Sequence, residues 1–162
     1  MRVLLATVGL IASLSADSQR DASEDAECRT TAPNGVPEPG FYGNHALAVA
    51  LSWPSGIVVF EPGGAGSVLP DGSLSMKFGW LRIARGPLTI TGRRLDQRAR
   101  PLRAQIPAGY GDVGFQATAL IFPTPGCWEV TGRVGDTKLT FVTEVIEVEP
   151  GLHQRRPDGG GR

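Results

Sequence analysis

The sequence lacks the charge imbalance, metal-ligand clusters and long apolar segments that would indicate several common functions. Its 16 Lys and Arg residues balance 16 Asp and Glu residues, so the formal net charge is zero, which argues against a nucleic-acid or membrane-surface binder. Only two Cys and two His are present, without the spacing of a zinc site. At about 100–200 residues per domain, a chain of 162 residues allows one sizeable domain.

No familiar catalytic set is present either. A Ser–His–acid triad would have to use His45, and no Ser occupies a Gly-x-Ser-x-Gly turn. The Gly-rich segment 63–66 is not followed by the Lys-Ser/Thr of a phosphate loop. The sequence therefore predicts no catalytic residue, no metal and no cofactor. Carboxylates that a glycoside hydrolase would need are scattered along the chain, at Glu61, Asp71, Asp96, Asp112, Glu129 and Asp136.

The N-terminus has the pattern of a secretory signal peptide. Arg2 precedes the apolar run Val3–Leu14, and small residues follow that run. The run is shorter than the roughly 20 residues of a membrane span, so we expect no transmembrane segment in the mature chain. We expect residues 1–16 to be removed, by cleavage after Ser15 or Ala16. The alternative is that the run is the first buried strand or helix of a cytosolic domain.

Export makes the two cysteines interpretable, because thiols usually pair in an oxidising compartment. A disulfide between Cys28 and Cys127 would close a loop of about 100 residues, to which the chain-entropy model assigns about 4.7 kcal/mol of stability. Two buried free thiols, or a chemical role for one of them, are the alternatives. The predicted localisation is the periplasm or the extracellular space.

The composition divides the chain into four segments. Residues 1–16 are the predicted signal peptide, and residues 17–27 form an acidic linker with almost no apolar side chains. Residues 28–149 form the predicted folded domain. The tail, residues 150–162, is polar and Gly-rich, and we expect it to be disordered.

Short apolar runs, spaced about ten residues apart and separated by Gly/Pro turns, predict an all-β domain. The best-defined pair is a hairpin in which 128–134 and 139–148 flank a Gly135-Asp136 turn. Residues 46–51 are compatible with a strand or a helix. Residues 74–80 alternate apolar and polar side chains, and after Gly79 the apolar positions move to Leu81 and Ile83. This change of parity predicts a bulge.

The segment 123–136, PTPGCWEVTGRVGD, resembles a family of small uncharacterised exported bacterial proteins. Further matches lie at 28–35, 60–64, 68–77, 92–96 and 109–112. The resemblance covers most of the folded domain and implies an extracytoplasmic β-sandwich, with no activity to carry over.

A looser resemblance is to immunoglobulin-like domains. The Gly-Cys-Trp strand followed by a hairpin is similar to the last two strands of that fold, which implies a single immunoglobulin-like β-sandwich of about seven to nine strands. The chain departs from the pattern in that Pro125 stands two residues before Cys127, where the fold has a Tyr.

One local charge excess remains within the neutral total. Between residues 82 and 103 there are seven Arg and one Asp, and Arg suits bidentate contact with carboxylate, sulfate or phosphate. The alternative is that several of these side chains offset the acidic residues of the last strand. The candidates for an anion-binding face are Arg82, Arg85, Arg93, Arg94, Arg98, Arg100 and Arg103.

The absence of a catalytic set, on a fold class that often presents loops for recognition, favours a non-catalytic binding or accessory module outside the cytoplasm. Its partner would be an anionic ligand or another cell-envelope protein, and not a nucleic acid. Two alternatives of different classes are a small extracytoplasmic hydrolase that uses carboxylates, and an interaction domain that docks through a sheet edge or an apolar patch.

Overall fold

The computed structural model describes residues 27–51 and 55–148. In this part of the chain it has ten β-strands and no helix: β1 (Phe41–Gly43), β2 (Leu47–Ala50), β3 (Ile57–Phe60), β4 (Ser67–Val68), β5 (Leu74–Arg82), β6 (Leu88–Arg94), β7 (Arg103–Gln105), β8 (Gly114–Phe122), β9 (Gly126–Val134) and β10 (Thr137–Glu147). No helix able to cross a membrane is found among the described residues. The predicted signal peptide, the acidic linker up to residue 26 and the predicted tail lie outside them.

The strands form two sheets. Sheet I has six strands in the order β1-β2-β5-β8-β7, with β4 beside β5, and sheet II has four in the order β3-β10-β9-β6. Neighbouring strands are antiparallel except β3 and β10, which run parallel. The prediction of an all-β domain is confirmed, and the segment 46–51 contains strand β2 and not a helix.

Aromatic rings join the two sheets. Phe141 of sheet II contacts Phe78 and Trp80 of sheet I, with ring centroids 5.8 and 6.1 Å apart. Phe122 of sheet I meets Trp128 of sheet II edge to face at 5.7 Å. Such pairs contribute about 0.5–1.5 kcal/mol each beyond the burial of their area. All five rings are at most 1% exposed, so they form the centre of the core.

Gly132 of β9 lets the two sheets approach at Trp80. A Cβ at this position would lie 2.4 Å from Cζ3 of the indole, closer than packed side chains allow. Because the indole belongs to sheet I and Gly132 to sheet II, the missing side chain sets the distance between the sheets here.

The predicted bulge after Gly79 is wrong. The pairing of β5 with β8 runs without a break along both strands and ends with Arg82 opposite Gly114. The parity therefore does not change: Arg82 takes the inward position and is 3% exposed, whereas Ile83 is 49% exposed. The prediction treated an inward position as necessarily apolar, but a long Arg side chain can bury its stem and bring its two terminal nitrogens to backbone acceptors, here at the cost of a buried Nε without a partner.

Three short strands bring the number to ten, against the seven to nine expected. β1, β4 and β7 have two or three residues each, too few to display an alternating pattern in the sequence. All three extend sheet I at its margins. The predicted hairpin is confirmed: β9 and β10 pair on either side of the Gly135-Asp136 turn.

The predicted disulfide is present between Cys28 and Cys127. It holds one end of a strap, residues 28–31, against the first part of β9. The other end of the strap is fixed to β10, because Thr31 N donates to Val142 O at 2.8 Å and Val142 N donates to Thr31 Oγ1 at 2.9 Å. The strap therefore attaches the start of the described chain to the last hairpin, 99 residues away.

Replacing both cysteines by Ser should lower the free energy of unfolding by up to about 4.7 kcal/mol, because the unfolded chain regains the freedom that a closed loop of this length removes. Urea unfolding at neutral pH measures the change. Reduced wild-type protein is the control and should unfold at the same urea concentration as the variant. A midpoint equal to that of oxidised wild type would contradict the prediction.

Candidate functional site

The structure distributes the seven candidate arginines over both ends of the sandwich and one outer face. Arg82 and Arg85 lie at the end where the β5–β6 and β7–β8 loops meet. Arg93 lies on the outer face of sheet II, with its Nε 2.8 Å from Glu129 Oε1. The other four lie at the end of β6, in the segment that crosses to sheet I, or at the start of β7, and they are Arg94, Arg98, Arg100 and Arg103. Among the described residues, their ion-pair partners are Asp71, Asp96, Asp112 and Glu129, none of which belongs to β10.

Arg94 is fully engaged within the fold. Its Nε and Nη2 bind the two oxygens of Asp96 at 2.6 and 2.9 Å, and its Nη1 donates to Thr124 Oγ1 at 2.9 Å. The side chain is 10% exposed, and a Cβ on Gly126 would lie 2.3 Å from its guanidinium. The Arg94 guanidinium is the main cause of the lowered pKa of Asp96. This network ties the end of β6 to the β8–β9 turn.

Two of the arginines line an open pocket. Arg103 Nη2 lies 3.0 Å from Asp71 Oδ2 and 2.9 Å from Ser73 Oγ. Hydrogen bonds from Ser73 lower the pKa of Asp71, and the charges of Arg103 and Arg100 lower it further, so Asp71 is ionised at neutral pH. The pocket has a volume of about 190 Å³, and its lining residues are Arg100, Pro101, Arg103 and Pro123. We call it the Arg100–Arg103 pocket.

A second pocket carries two carboxylates. It has a volume of about 230 Å³ and lies where β3 and β10 end, with Glu61 and Glu147 among otherwise apolar and glycine residues. Neither carboxylate has a cationic partner within 4 Å in the described part of the chain. No three His, Cys, Asp or Glu side chains come together as metal ligands within 27–51 and 55–148.

Arg82 anchors two loops from inside the sandwich. Its Nη1 lies 3.0 Å from Gly86 O in the β5–β6 loop and 3.4 Å from Asp112 O, and its Nη2 donates to Gly111 O. No carboxylate of the described residues lies within 4 Å of it. Hydrogen bonds from a charged donor are worth about 1.5–3 kcal/mol, so the backbone oxygens hold the guanidinium and the guanidinium holds the loops.

Two further contacts act on the β7–β8 loop, residues 106–113. The buried Gln116 donates from Nε2 to Pro107 O at 3.1 Å. Arg85 Nη1 lies 3.8 Å from Asp112 Oδ2, but both side chains are more than three quarters exposed, and such pairs contribute little. The loop is therefore held mainly from its buried side.

Next to this loop lies a cluster of exposed apolar side chains that the sequence analysis missed. Ile83 and Val113 flank the last residue pair of the β5–β8 ladder, and Phe115 belongs to the pair before it. Their exposed fractions are 49%, 45% and 54%, and Tyr110 is 39% exposed. The ring of Phe115 covers Gly79, where a Cβ would lie 2.5 Å from Cε2. We call Ile83, Val113 and Phe115, together with the exposed Tyr110 of the 106–113 loop, the apolar end.

The sequence contained only a weak signal for the apolar end. Val113 and Phe115 stand on either side of Gly114, which has a φ of +97°, and in the sequence they look like the start of a half-buried strand. Ile83 lies 30 residues away, and only the register of β5 against β8 brings it beside Val113.

Comparison with known proteins adds no family to this description. No protein-family model matches the sequence, and no curated protein matches it. Function is therefore inferred from the side chains described above.

Replacing Arg82 by Lys should loosen the β7–β8 loop while the core stays folded. Lys keeps the charge and the stem, but its ammonium group cannot reproduce the planar fork that reaches three backbone oxygens. The loss of one such hydrogen bond, about 1.5 kcal/mol, makes local opening about tenfold more frequent. Chymotrypsin cleavage at Tyr110 under native conditions measures this opening. Arg133→Lys, on an exposed position of β9, is the control, and equal cleavage rates in both variants would contradict the prediction.

The stability that Asp96 contributes should depend on pH. Its pKa in the folded state lies below the ordinary 3.8, so its contribution is present above pH 3.8 and is lost as the pH falls through the lowered value. The free energy of unfolding of Asp96→Asn should therefore fall furthest below that of wild type at neutral pH, and this difference should become smaller in acid. Urea unfolding at pH 7 and near pH 2 tests this. In an Arg94→Met background the same substitution should have little effect at either pH, and an undiminished effect there would contradict the assignment to Arg94.

Proposed function

We propose that the protein is an exported, non-catalytic binding module that docks another cell-envelope protein through the apolar end. The observation that carries this proposal is the exposure of Ile83, Val113 and Phe115 side by side. Soluble monomers rarely leave a contiguous group of large apolar side chains in water, and such groups commonly mark interaction sites. Aromatic anchors of this kind supply much of the energy of protein–protein interfaces.

The anchoring of the loop supports the same proposal. Arg82 and Gln116 fix the 106–113 loop from below, so Tyr110 and Val113 are presented on a preordered backbone. A preordered surface loses less conformational entropy when a partner binds. Burying a charge beneath a loop is costly, and the position of Arg82 is explained if the loop must keep one conformation.

We propose that the sandwich is immunoglobulin-like, and the strand order supports this. The order β2-β5-β8-β7 corresponds to the A-B-E-D sheet of that fold, and β10-β9-β6 corresponds to its G-F-C sheet. In this correspondence the β5–β6 loop is the B–C loop and the β9–β10 turn is the F–G loop, and in variable domains these two loops lie at the recognition end. Gly86 of the first loop lies close to Val134 at the start of the second. The disulfide differs, since Cys28 precedes β1 and does not lie on the B strand.

Export is part of the proposal. The apolar N-terminal segment supports it, as does the Cys28–Cys127 disulfide, because disulfides persist mainly in oxidising compartments. The resemblance of 123–136 to exported bacterial proteins points the same way.

The competing function, a hydrolase that uses carboxylates, would have to use the pocket with Glu61 and Glu147. We favour binding over hydrolysis because the exposed side chains of the apolar end are a specific observation in its favour.

A double variant, Val113→Ser with Phe115→Ser, tests the proposed docking. The loss of two apolar anchors should lower the affinity for a partner by at least about tenfold. The fold should tolerate the changes because both side chains are exposed. Tagged wild-type protein is used to recover partners from a solubilised envelope fraction, and the affinity of each identified partner is then measured with purified components.

Val68→Ser is the matched control, since Val68 is 56% exposed and lies away from the apolar end on β4. The control should bind like wild type. The proposal is contradicted if the recovered partner binds wild type and the double variant equally. It is also contradicted if every recovered partner binds the double variant as well as it binds the control.

A further inference from the structure

Part of the seven-arginine segment lines a pocket at one end of the sandwich. Arg100 and Pro101 lie in the segment that crosses from β6 to β7, Arg103 begins β7, and Pro123 follows β8 directly. These four residues line the Arg100–Arg103 pocket. It lies at the end of the sandwich opposite to the apolar end, since β8 runs from Gly114 at one to Phe122 at the other.

The charges around this pocket do not cancel. Arg103 is held by Asp71 and Ser73 through Nη2 alone, which leaves its Nε and Nη1 without a hydrogen bond to any described residue. Arg100 has no hydrogen bond or ion pair to any residue in the described part of the chain. Two guanidinium groups against one carboxylate leave a positive charge in excess, and that charge belongs to side chains lining a concave surface.

The other two walls are proline rings. Proline fixes its own backbone angle and has no N–H, so these walls are rigid and donate no hydrogen bonds. The lining of the pocket is mainly apolar, so the proline rings can contact the apolar part of a ligand while the guanidinium groups contact its charge. A planar guanidinium recognises carboxylate or phosphate with paired hydrogen bonds.

We propose that the Arg100–Arg103 pocket binds an oxyanion, a carboxylate or a phosphate, carried on a small molecule whose apolar part lies against Pro101 and Pro123. This site does not depend on the apolar end. Arg100 is the principal ligand-binding side chain because no hydrogen bond or ion pair to the described residues holds its guanidinium. Asp71 has two opposing effects: it orients Arg103, and it repels the incoming anion.

The opposing effects of Asp71 give a test in which binding improves. Asp71→Asn removes the repulsion and frees Arg103, so the affinity for an oxyanion should rise severalfold. Arg100→Gln should lower it about tenfold, the loss expected for one paired charge contact. The matched control is Arg133→Gln, which removes the same charge from the exposed outer face of β9 and should change the affinity less than twofold.

The probes are inorganic phosphate, acetate and benzoate, titrated at constant ionic strength into the isotope-labelled mature protein and followed by NMR at the Arg Nε–Hε signals. We expect the Arg100 and Arg103 signals to shift and to reach saturation. The Kd for a single oxyanion contact should be on the order of 1 mM. Stronger binding of benzoate than of acetate would assign the site to carboxylates with an apolar body, and stronger binding of phosphate would assign it to phosphates.

The proposal is overturned if chloride at the same ionic strength reproduces the shifts, if Arg100→Gln binds as tightly as Arg133→Gln, or if Asp71→Asn weakens binding. A gain of affinity in Asp71→Asn cannot result from partial unfolding. The Val113→Ser, Phe115→Ser double variant should titrate like wild type, so failure of the docking proposal and failure of the anion site are distinguishable.

Discussion

The ring contacts between the two sheets are the interaction on which the rest of the molecule depends. Phe78 and Trp80 reach from β5 to Phe141 on β10, and neither sheet can exclude water from these rings alone. β5 pairs along its whole length with β8, so the same contacts fix the position of β8. That strand begins in the apolar end and finishes beside the Arg100–Arg103 pocket, which means that one central strand pair positions both surfaces.

Arginine has three different roles here, although the sequence shows only one cluster. Arg82 is buried and holds backbone oxygens, Arg94 is nearly buried and holds a carboxylate, and Arg100 is open to solvent. The difference comes from where each residue falls on its strand or loop, because an inward position removes the side chain from water and forces it to find partners. The density of charge in the sequence therefore overstates the charge that is available to a ligand.

Local patterns were enough to predict the longer strands and the last hairpin, because alternation and turn chemistry are local properties, but they did not predict the two- and three-residue strands β1, β4 and β7. The pairing of Cys28 with Cys127 followed from having only two cysteines in a chain whose N-terminal pattern predicts export. The inward orientation of the Arg82 side chain could not be predicted, since it depends on carbonyl oxygens of Gly86 and Gly111 that only the folded loops supply. The apolar end and the Arg100–Arg103 pocket were missed as units for a related reason: each joins residues from distant strands, and only the register between those strands brings them together.

The strap also extends the paired part of one side of β10 in sheet II. On the side of β10 away from β9, the backbone groups of Val142 bond to Thr31, those of Glu144 to Gly56, and Val148 to Phe60. Unpaired strand edges invite intermolecular pairing, and β10 is the longest strand of the described chain. By tethering residues 28–31 against β10, the disulfide extends the paired part of this edge from the β3 pairing at Glu144 back to Val142, so the cross-link shortens the length of strand that is open to another chain.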